Sequence, residues 1–302
     1  MNLGENIMEQ PLTNEMKAHV LTAALPYIQK YAGKVVVIKY GGNAMINPEL
    51  KAAVMSDIIL LSLVGIRAIL VHGGGPEITG MLNRLNIPSK FINGLRYTDA
   101  ATAEVVQMVL AGKTNKDLVA LIGANGGKAL GFCGIDDQMI QAKKMAGDTD
   151  YGYVGEITGI NAAPILNTLA AGYIPVIATV GVDHEGNVYN INADTAAAAI
   201  ASALGAANII LMTDTRGLLR DLNDPSTLIS EVYLDEIPGL IEQKIITGGM
   251  LPKTQCCIDA INNGVNKAVM IDGRIPHSIL IEMFSTEGIG TMFKTRIKGE
   301  KK

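Results

Sequence analysis

Short apolar runs that suit buried strands alternate along the chain with longer apolar stretches at helical spacing. Residues 35–38 are Val-Val-Val-Ile, with no alternation of polar and apolar positions, which is typical of a strand buried on both faces. Lys39, Tyr40 and two glycines follow. Asn47 and Pro48 then predict the N-cap and first residue of a helix that continues through residues 54–64. The first unit is therefore a strand, a glycine turn and a helix.

A second unit of the same kind comes directly afterwards. Residues 66–71 form an apolar run, His72 is followed by three glycines, and Pro76 predicts the start of another helix. Parallel strands joined by helices bring such turns to one carboxyl edge of a sheet, where ligands bind. Bare backbone N–H groups beside a helix N-terminus stabilise anions, so both turns are candidate phosphate sites. His72 is either a general base or a turn residue bonded to the backbone, and we favour the second interpretation.

Neither glycine turn matches the P-loop pattern G-x-x-x-x-G-K-[ST] or the dinucleotide pattern G-x-G-x-x-G. The position three residues after Gly75 is Ile78, so the third glycine of the dinucleotide pattern is missing. An NAD-dependent dehydrogenase is therefore disfavoured.

The remaining chain continues the alternation of strands and helices. Asn93 and Gly94 predict a hairpin turn, and Asp99 predicts the N-cap of a long helix that ends near residues 125–127. Glycines punctuate residues 128–160, which we interpret as a β-rich flap. Asp194 predicts the N-cap of an alanine-rich helix, and a third glycine-rich turn ends at Lys253.

The N-terminal region contains apolar residues near helical spacing across residues 16–31. Pro26 is expected to kink or split this helix, because proline lacks the N–H of a helical hydrogen bond. The helix either packs on its own domain or forms an arm that contacts another subunit.

Composition narrows the class of protein. The chain has 302 residues, of which 48% are hydrophobic, and this fits an ordinary globular α/β protein. A net charge of −4 disfavours nucleic-acid binding, and no apolar run approaches the length of roughly 18 residues needed to span a membrane. No signal peptide is visible, and three cysteines without metal-ligand spacing suit reduced thiols in a cytoplasmic protein.

Five motifs in this order resemble the acetylglutamate kinase family, within the amino acid kinase fold, from about residue 16 to residue 293. They are K-Y-G-G-N-A-M from Lys39, V-H-G-G-G-P-E from Val71, N-G-L-R-Y-T-D from Asn93, N-I-N-A-D from Asn190 and G-G-M-L-P-K from Gly248. Each motif is weak alone, and the five together are highly specific.

The resemblance implies a three-layer α/β/α sandwich around a mainly parallel central sheet, in two lobes. An N-terminal helical arm (1–33) would precede an amino-acid-binding lobe (34–205) and a nucleotide-binding lobe (206–302). The implied reaction is phosphorylation of the side-chain carboxylate of N-acetyl-L-glutamate by ATP in arginine biosynthesis. That carboxylate is ionised at neutral pH, so catalysis needs positioning and charge neutralisation rather than a general base. Mg²⁺ would be carried by the nucleotide phosphates, with no protein metal site.

The same resemblance assigns roles to individual residues. The implied catalytic residues are Lys39, Lys253 and Asp194. The implied substrate-binding residues are Gly74, Gly75, Arg96 and Asn190, and the planar fork of arginine suits the α-carboxylate. The implied phosphate and ATP site consists of Gly41, Gly42, Gly73, Thr213, Asp214, Arg216, Gly217, Leu218, Gly248 and Gly249.

Regulation is implied by two further features. Family members that arginine inhibits carry an N-terminal helix, and they often assemble as hexamers in which this helix joins dimers. Residues 272–291 also resemble the arginine site, for which the candidate residues are Lys244, Glu282 and Gly288. Arginine-sensitive members commonly have histidine three residues before Asp-Gly-Arg, where this chain has Val269. Feedback inhibition by arginine, and a dimer or hexamer, are therefore open expectations.

Two alternatives remain at this point. One is a kinase of the same fold for another acidic amino acid, such as an acetylated or carrier-linked aminoadipate. The other is a non-catalytic amino-acid sensor, although the presence of both Lys39 and Lys253 disfavours it.

Overall fold

One mostly parallel sheet forms the centre of the computed structural model, which describes residues 13–296. From edge to edge its strands are β12 (Glu231–Tyr233), β14 (Thr291–Lys294), β13 (Ala268–Asp272), β11 (Asn208–Thr213), β1 (Val35–Tyr40), β2 (Arg67–His72), β8 (Ile174–Ala178) and β5 (Ala129–Cys133). The pair β13–β14 is antiparallel, and every other neighbouring pair is parallel. The predicted α/β fold with a mainly parallel sheet is therefore confirmed.

Helices cover both faces of this sheet. One face carries α1 (Asn14–Tyr31), α2 (Asn43–Ile46), α3 (Pro48–Leu63), α6 (Asn115–Ala124) and α11 (Ser278–Phe284). The other carries α7 (Ala163–Ala170), α8 (Ala193–Ala203), α9 (Ile237–Glu242) and α10 (Met250–Asn262). Successive residues of the buried strands point to opposite faces, so each strand contributes to both hydrophobic clusters.

A third hydrophobic cluster lies at the carboxyl ends of β5 and β8. It is covered by α4 (Gly75–Arg84), α5 (Ala100–Gln107) and a π-helical segment (Met108–Thr114) that leads directly into α6. The long helix predicted after Asp99 is thus interrupted by a stretch of different hydrogen bonding. Asp99 is its N-cap, as predicted, because its side chain accepts from the Thr102 N–H.

Residues 128–160 divide between two sheets. The strand β5 belongs to the central sheet, whereas β6 (Ile140–Lys144) and β7 (Gly155–Ile160) join β9 (Val180–Val182) and β10 (Val188–Asn190) in a second sheet. The interpretation of the whole segment as a flap is therefore only partly right. The predicted hairpin is confirmed as β3 (Phe91–Ile92) and β4 (Leu95–Arg96).

The boundaries predicted from sequence have mixed outcomes. Asn47 caps α3 as expected, since its side chain accepts from the Glu49 and Leu50 N–H groups. Pro26 lies inside α1 and does not split it. The arm predicted for residues 1–33 lies partly outside the described residues. The boundary predicted at residue 205 does not divide the sheet, because β1 pairs directly with β11.

Candidate active site at the carboxyl edge of the sheet

Asp194 lies between two lysines at the carboxyl edge of the central sheet. The Lys39 Nζ is 3.0 Å from Asp194 Oδ1, and the Lys253 Nζ is 2.7 Å from Asp194 Oδ2. Lys39 is near the end of β1, and Lys253 is in the first turn of α10. The structure therefore brings together three residues that are separated by most of the chain.

The N-cap of α8 explains how Asp194 is available for these ion pairs. The cap is Asn192, whose side-chain oxygen accepts from the Asp194 and Thr195 N–H groups. The prediction that Asp194 caps this helix is therefore wrong. Asp194 is the second residue of α8, and its carboxylate faces the two lysines. Buried alanines of α8, among them Ala196 and Ala197, let the helix approach the sheet closely.

The charge state of Asp194 follows from its partners. Burial alone would raise the pKa of Asp194, but the ammonium groups of Lys39 and Lys253 outweigh it and hold the pKa below its ordinary value. The carboxylate is thus ionised at neutral pH. Two ammonium groups and one carboxylate leave one net positive charge in a largely buried site.

The first two glycine turns are closely surrounded. Gly42 has φ +67°, and a Cβ there would lie 2.7 Å from the Asp214 side-chain oxygen. A Cβ on Gly73 would lie 3.3 Å from the Ala193 Cβ. These contacts place the turn after β1 against Asp214 of the turn after β11, and the turn after β2 against the N-terminus of α8.

Backbone donors are available at the turn after β2. Gly74 is the N-cap of α4, and its carbonyl accepts from the Ile78 N–H. Across residues 13–296, no hydrogen bond is found from the N–H of Gly74 or Gly75. Because a helix N-terminus concentrates positive electrostatic potential, this turn suits an anionic oxygen.

Arg96 lies over the same turn. Its guanidinium donates to the Gly75 carbonyl at 3.0 Å and to Thr79 Oγ1 at 2.9 Å, both in the first turns of α4. The side chain is 6% exposed, and burial lowers its pKa. Within the described part of the chain Arg96 forms no ion pair. A buried cation without an anionic partner favours an anionic ligand.

Asn190 is linked to Arg96 through Thr98. The Asn190 amide donates to Thr98 Oγ1 at 3.2 Å, and the Thr98 hydroxyl donates to the Arg96 carbonyl at 2.8 Å. Thr98 is fully buried and was not recognised from the sequence. It joins the hairpin to the second sheet and ties the Asn190 side chain to the main chain of Arg96.

The turn after β11 contains the residues predicted for the nucleotide. Thr213 ends the strand and accepts from the Thr215 N–H, while the Leu218 N–H donates to Thr291 Oγ1 at 2.8 Å. A Cβ on Gly217 would collide with Thr291. Asp214 and Arg216 are exposed. The turn is thus held at both ends and presents polar side chains in its middle.

The third glycine turn is open. Gly248 and Gly249 are exposed, and a Cβ on either residue would meet nothing within 4 Å. The turn directly precedes α10, which carries Lys253. Metal ligands do not gather here: nowhere in residues 13–296 do three His, Cys, Asp or Glu side chains come together in a way that could hold a metal ion.

The candidate arginine residues do not all lie together. Glu282 on α11 is buried and accepts from the Ile289 N–H, and a Cβ on Gly288 would lie 2.5 Å from its carboxylate. Burial raises the pKa of Glu282, and the Lys267 Nζ is 3.8 Å from it. Lys244 follows α9, which packs on the opposite face of the central sheet from α11.

Comparisons with known proteins agree on one family. The family model described as the amino acid kinase family matches residues 34–272. The acetylglutamate kinase of Brachyspira hyodysenteriae is 60% identical over 283 residues, which are 93% of this chain and 98% of that protein. The acetylglutamate kinase of Clostridium beijerinckii is 58% identical and covers 93% of this chain and 99% of that protein.

A solved structure supports the fold. The N-acetylglutamate synthase from Neisseria gonorrhoeae, complexed with coenzyme A and N-acetyl-glutamate, superposes with a TM-score of 0.81 at 24% identity. The match covers 93% of this chain and 64% of that synthase.

Proposed function

The chain belongs to the acetylglutamate kinases of the amino acid kinase family, and we propose that Lys39, Lys253 and Asp194 catalyse its phosphoryl transfer. The enzyme is a kinase that uses ATP to phosphorylate the side-chain carboxylate of N-acetyl-L-glutamate in arginine biosynthesis. The observation that supports the catalytic assignment is the ion-paired group in which Asp194 holds both ammonium groups within 3.0 Å.

Charge neutralisation is the main task of this site. The attacking carboxylate has an ordinary pKa of about 4.3 and is already ionised, so no general base is required. It must approach an anionic phosphate, and the ammonium groups of Lys39 and Lys253 offset the repulsion. Asp194 keeps both ammonium groups in place, so little reorganisation is needed when charge develops on the transferring group.

The amino acid is proposed to bind in the part of the chain before residue 206. Arg96 is a buried guanidinium without an ion pair among the described residues, and it suits the α-carboxylate. Asn190, linked to it through Thr98, would contact the α substituents. The N–H groups of Gly74 and Gly75 would receive the carboxylate that reacts.

The nucleotide is proposed to bind mainly in the part of the chain after residue 206, with its phosphates reaching the glycine turns after β1 and β2. Gly41 and Gly42 in the turn after β1 would donate to its phosphates. Gly73, which was predicted for the same role, has its N–H donating to the Tyr40 carbonyl at 3.2 Å and would line the phosphates without donating to them. Residues 213–218 and 248–249 would frame the rest of the nucleotide. Mg²⁺ would be held mainly by the phosphates, since this cation keeps several waters and commonly binds through substrate phosphates.

Substrate choice is tested by trapping the acyl phosphate with hydroxylamine. We expect the hydroxamate with N-acetyl-L-glutamate, and much less with glutamate, N-acetylaspartate or N-acetyl-aminoadipate. A stronger reaction with the aminoadipate derivative would favour the same-fold alternative. No acyl phosphate with any of these acids, at saturating MgATP, would favour a non-catalytic sensor.

We further propose that α1 joins dimers of this chain into a higher assembly. Its apolar residues Met16, Val20, Leu21 and Leu25 are between 49% and 72% exposed, and Tyr31 is its buried residue. Tyr27 bonds to Thr286 at 2.8 Å, so the helix lies beside the segment that carries Glu282 and Gly288. Arginine bound near Glu282 would bias this assembly and thereby the active sites.

The test compares two leucines of similar exposure. Leu21→Glu should abolish assembly above the dimer and weaken any arginine inhibition, whereas Leu63→Glu on α3 should do neither, although Leu63 is 75% exposed. Deletion of residues 1–25 should act like Leu21→Glu and leave an active dimer. Light scattering and arginine titrations decide the matter. A truncated protein that still forms hexamers, or a full-length protein that is only a dimer, contradicts the proposal.

A further inference from the structure

His72 is a fully buried histidine beside the proposed substrate turn, and the reaction gives it no chemical task. It ends β2, and its Nδ1 is 2.8 Å from the carbonyl of Gly73. A carbonyl only accepts, so Nδ1 carries the proton. Nε2 is then an acceptor and lies 3.1 Å from the Asn115 side-chain nitrogen. Burial lowers the pKa of His72 to about 4, so the ring is neutral at physiological pH.

Asn115 is fully buried and is held by two strands. Its amide nitrogen has three acceptors within 3.1 Å, the Val176 carbonyl at 2.9 Å, the Phe132 carbonyl and His72 Nε2, and its two hydrogens are shared among them, while its oxygen accepts from Lys116. These contacts connect β8 and β5 to the histidine. An amide nitrogen cannot accept a hydrogen bond, so an Nε2–H would face a donor, and this contact favours the ring tautomer with the proton on Nδ1.

The π-helical segment brings the same helix against the glycine turn. Asn115 is the first residue after this segment. A Cβ on Gly74 would lie 2.6 Å from Leu110 Cδ2 and 3.6 Å from Thr114 Oγ1. Leu110 and Thr114 thus pack on the turn itself, while Asn115 reaches the histidine behind it.

The bond from His72 to the Gly73 carbonyl sets the direction of the Gly74 N–H, because both groups belong to one peptide unit. The unit is planar and trans, so its C=O and N–H point in opposite directions. Since His72 holds the Gly73 carbonyl, the Gly74 N–H points away from the ring. Glycines flank this peptide, so without such a bond its plane could rotate at little cost.

We infer that the His72–Asn115 pair is a positioning device, which orients the Gly73–Gly74 peptide so that the Gly74 N–H faces the acidic substrate. The inference rests on the proposed role of this turn in binding the acid. His72 and Asn115 are positioning residues and do not contact the reacting atoms. Their loss should therefore affect the amino acid more than the nucleotide.

Two amide substitutions at position 72 separate positioning from general packing. The side-chain nitrogen of an asparagine can take the place of Nδ1 and donate, whereas the side-chain oxygen of a glutamine can take the place of Nε2 and accept. His72→Asn keeps a donor to Gly73 and loses the acceptor for Asn115. His72→Gln does the reverse. Each variant loses one buried hydrogen bond, so the two should have similar unfolding free energies.

Their kinetics should differ. We expect His72→Gln to raise the KM for N-acetyl-L-glutamate about tenfold, as one lost hydrogen bond would. The KM for ATP should stay within about twofold, and His72→Asn should restore most of the affinity for the acid. Equal losses in the two variants, or a rise confined to the KM for ATP, would overturn the inference.

A spectroscopic test does not depend on turnover. Long-range ¹H–¹⁵N correlations of the four histidines should show His72 as the Nδ1–H tautomer from pH 6 to 8 in the native protein. Asn115→Ala should let the tautomers mix, and Asn125→Ala should not. Asn125 is a matched control, because it is exposed at the end of the same helix and, in the described contacts, its side chain bonds only to the Leu121 carbonyl. An Nε2–H tautomer in the native protein would refute the inference even if the enzyme phosphorylates the expected acid.

Discussion

Asp194 has a lysine and a glycine turn on either side, and the two sides differ in how they are held. On the first side, the Lys39 side chain is 10% exposed, and a Cβ on Gly42 would lie 2.7 Å from Asp214. On the second side, the Lys253 side chain is 26% exposed, and a Cβ on Gly248 would meet nothing within 4 Å. Gly42 and Gly248 both have left-handed backbones, with φ of +67° and +51°.

The difference teaches that similar motifs need glycine for different reasons. Gly42 has a positive φ, and a Cβ there would also need the Asp214 side chain to shift, because it would lie 2.7 Å from the carboxylate. Gly248 is required by its φ alone. The first turn is therefore fixed by the surrounding structure, whereas the second has room around it for a ligand.

The largest expected effect concerns the two lysines. Lys39→Ala and Lys253→Ala should each lower kcat by about 10²–10³, since each removes a cation from the developing anionic transition state. Lys113→Ala is a control, because Lys113 forms an exposed ion pair with Asp117. Steady-state kinetics at saturating substrates measure the effect. Near-normal turnover in either variant contradicts the proposed site.

The next prediction concerns the pH dependence of the unfolding free energy, to which the buried His72 contributes. The pKa of His72 is depressed from 6.5 to about 4, so below pH 6.5 the unfolded chain takes up a proton that the folded protein does not. The unfolding free energy should therefore fall as the pH drops from about 6.5 to about 4, by roughly 3 kcal/mol for this group. Denaturant titrations across this range should show a flatter dependence for His72→Asn. An unchanged slope would mean that other groups dominate.

A pair of alanine substitutions tests the comparison itself. Gly42→Ala and Gly248→Ala both force a side chain into a left-handed backbone, at a cost of about 1–2 kcal/mol. Only Gly42→Ala adds a collision with Asp214, so it should lose more stability and also raise the KM for ATP. Thermal unfolding and kinetics on the two proteins measure this difference. Equal losses would show that the enclosed turn can relax.

The smallest expected effect concerns Arg96. Arg96→Lys keeps the charge but loses the planar fork that donates to Gly75 and Thr79. We expect a rise of about tenfold in the KM for N-acetyl-L-glutamate, with little change in the KM for ATP. If the affinity for ATP fell instead, Arg96 would belong to the nucleotide site.

Local chemistry accounts for what could be predicted from the sequence. A continuous β-branched run gives a buried strand, Asn before Pro gives a helix start, and Asn-Gly gives a hairpin turn. Each of these rules involves residues that are close in the chain. This is why β1, the N-cap at Asn47 and the hairpin at Asn93 are confirmed.

The wrong predictions concern segments in which the local sequence allows more than one structure. Asn192 and Asp194 are both good N-cap residues, and the sequence does not say which side chain remains free to leave the helix. Two distant lysines decide it, because they stabilise the Asp194 carboxylate in the folded protein. The π-helical segment is not indicated by any local pattern in residues 108–114, and in the structure its Leu110 and Thr114 lie against Gly74.

The sequence by itself determined the strands, the glycine turns and the residue types that suit a phosphoryl transfer between two anions. Only the tertiary structure decided which groups meet. Asp194 reaches Lys39 and Lys253 because α8 and α10 pack on the same face of β1, and Asn115 reaches His72 across 43 residues of chain. The physical reason is that burial and charge pairing depend on neighbours in space, which the order of residues specifies only through the completed fold.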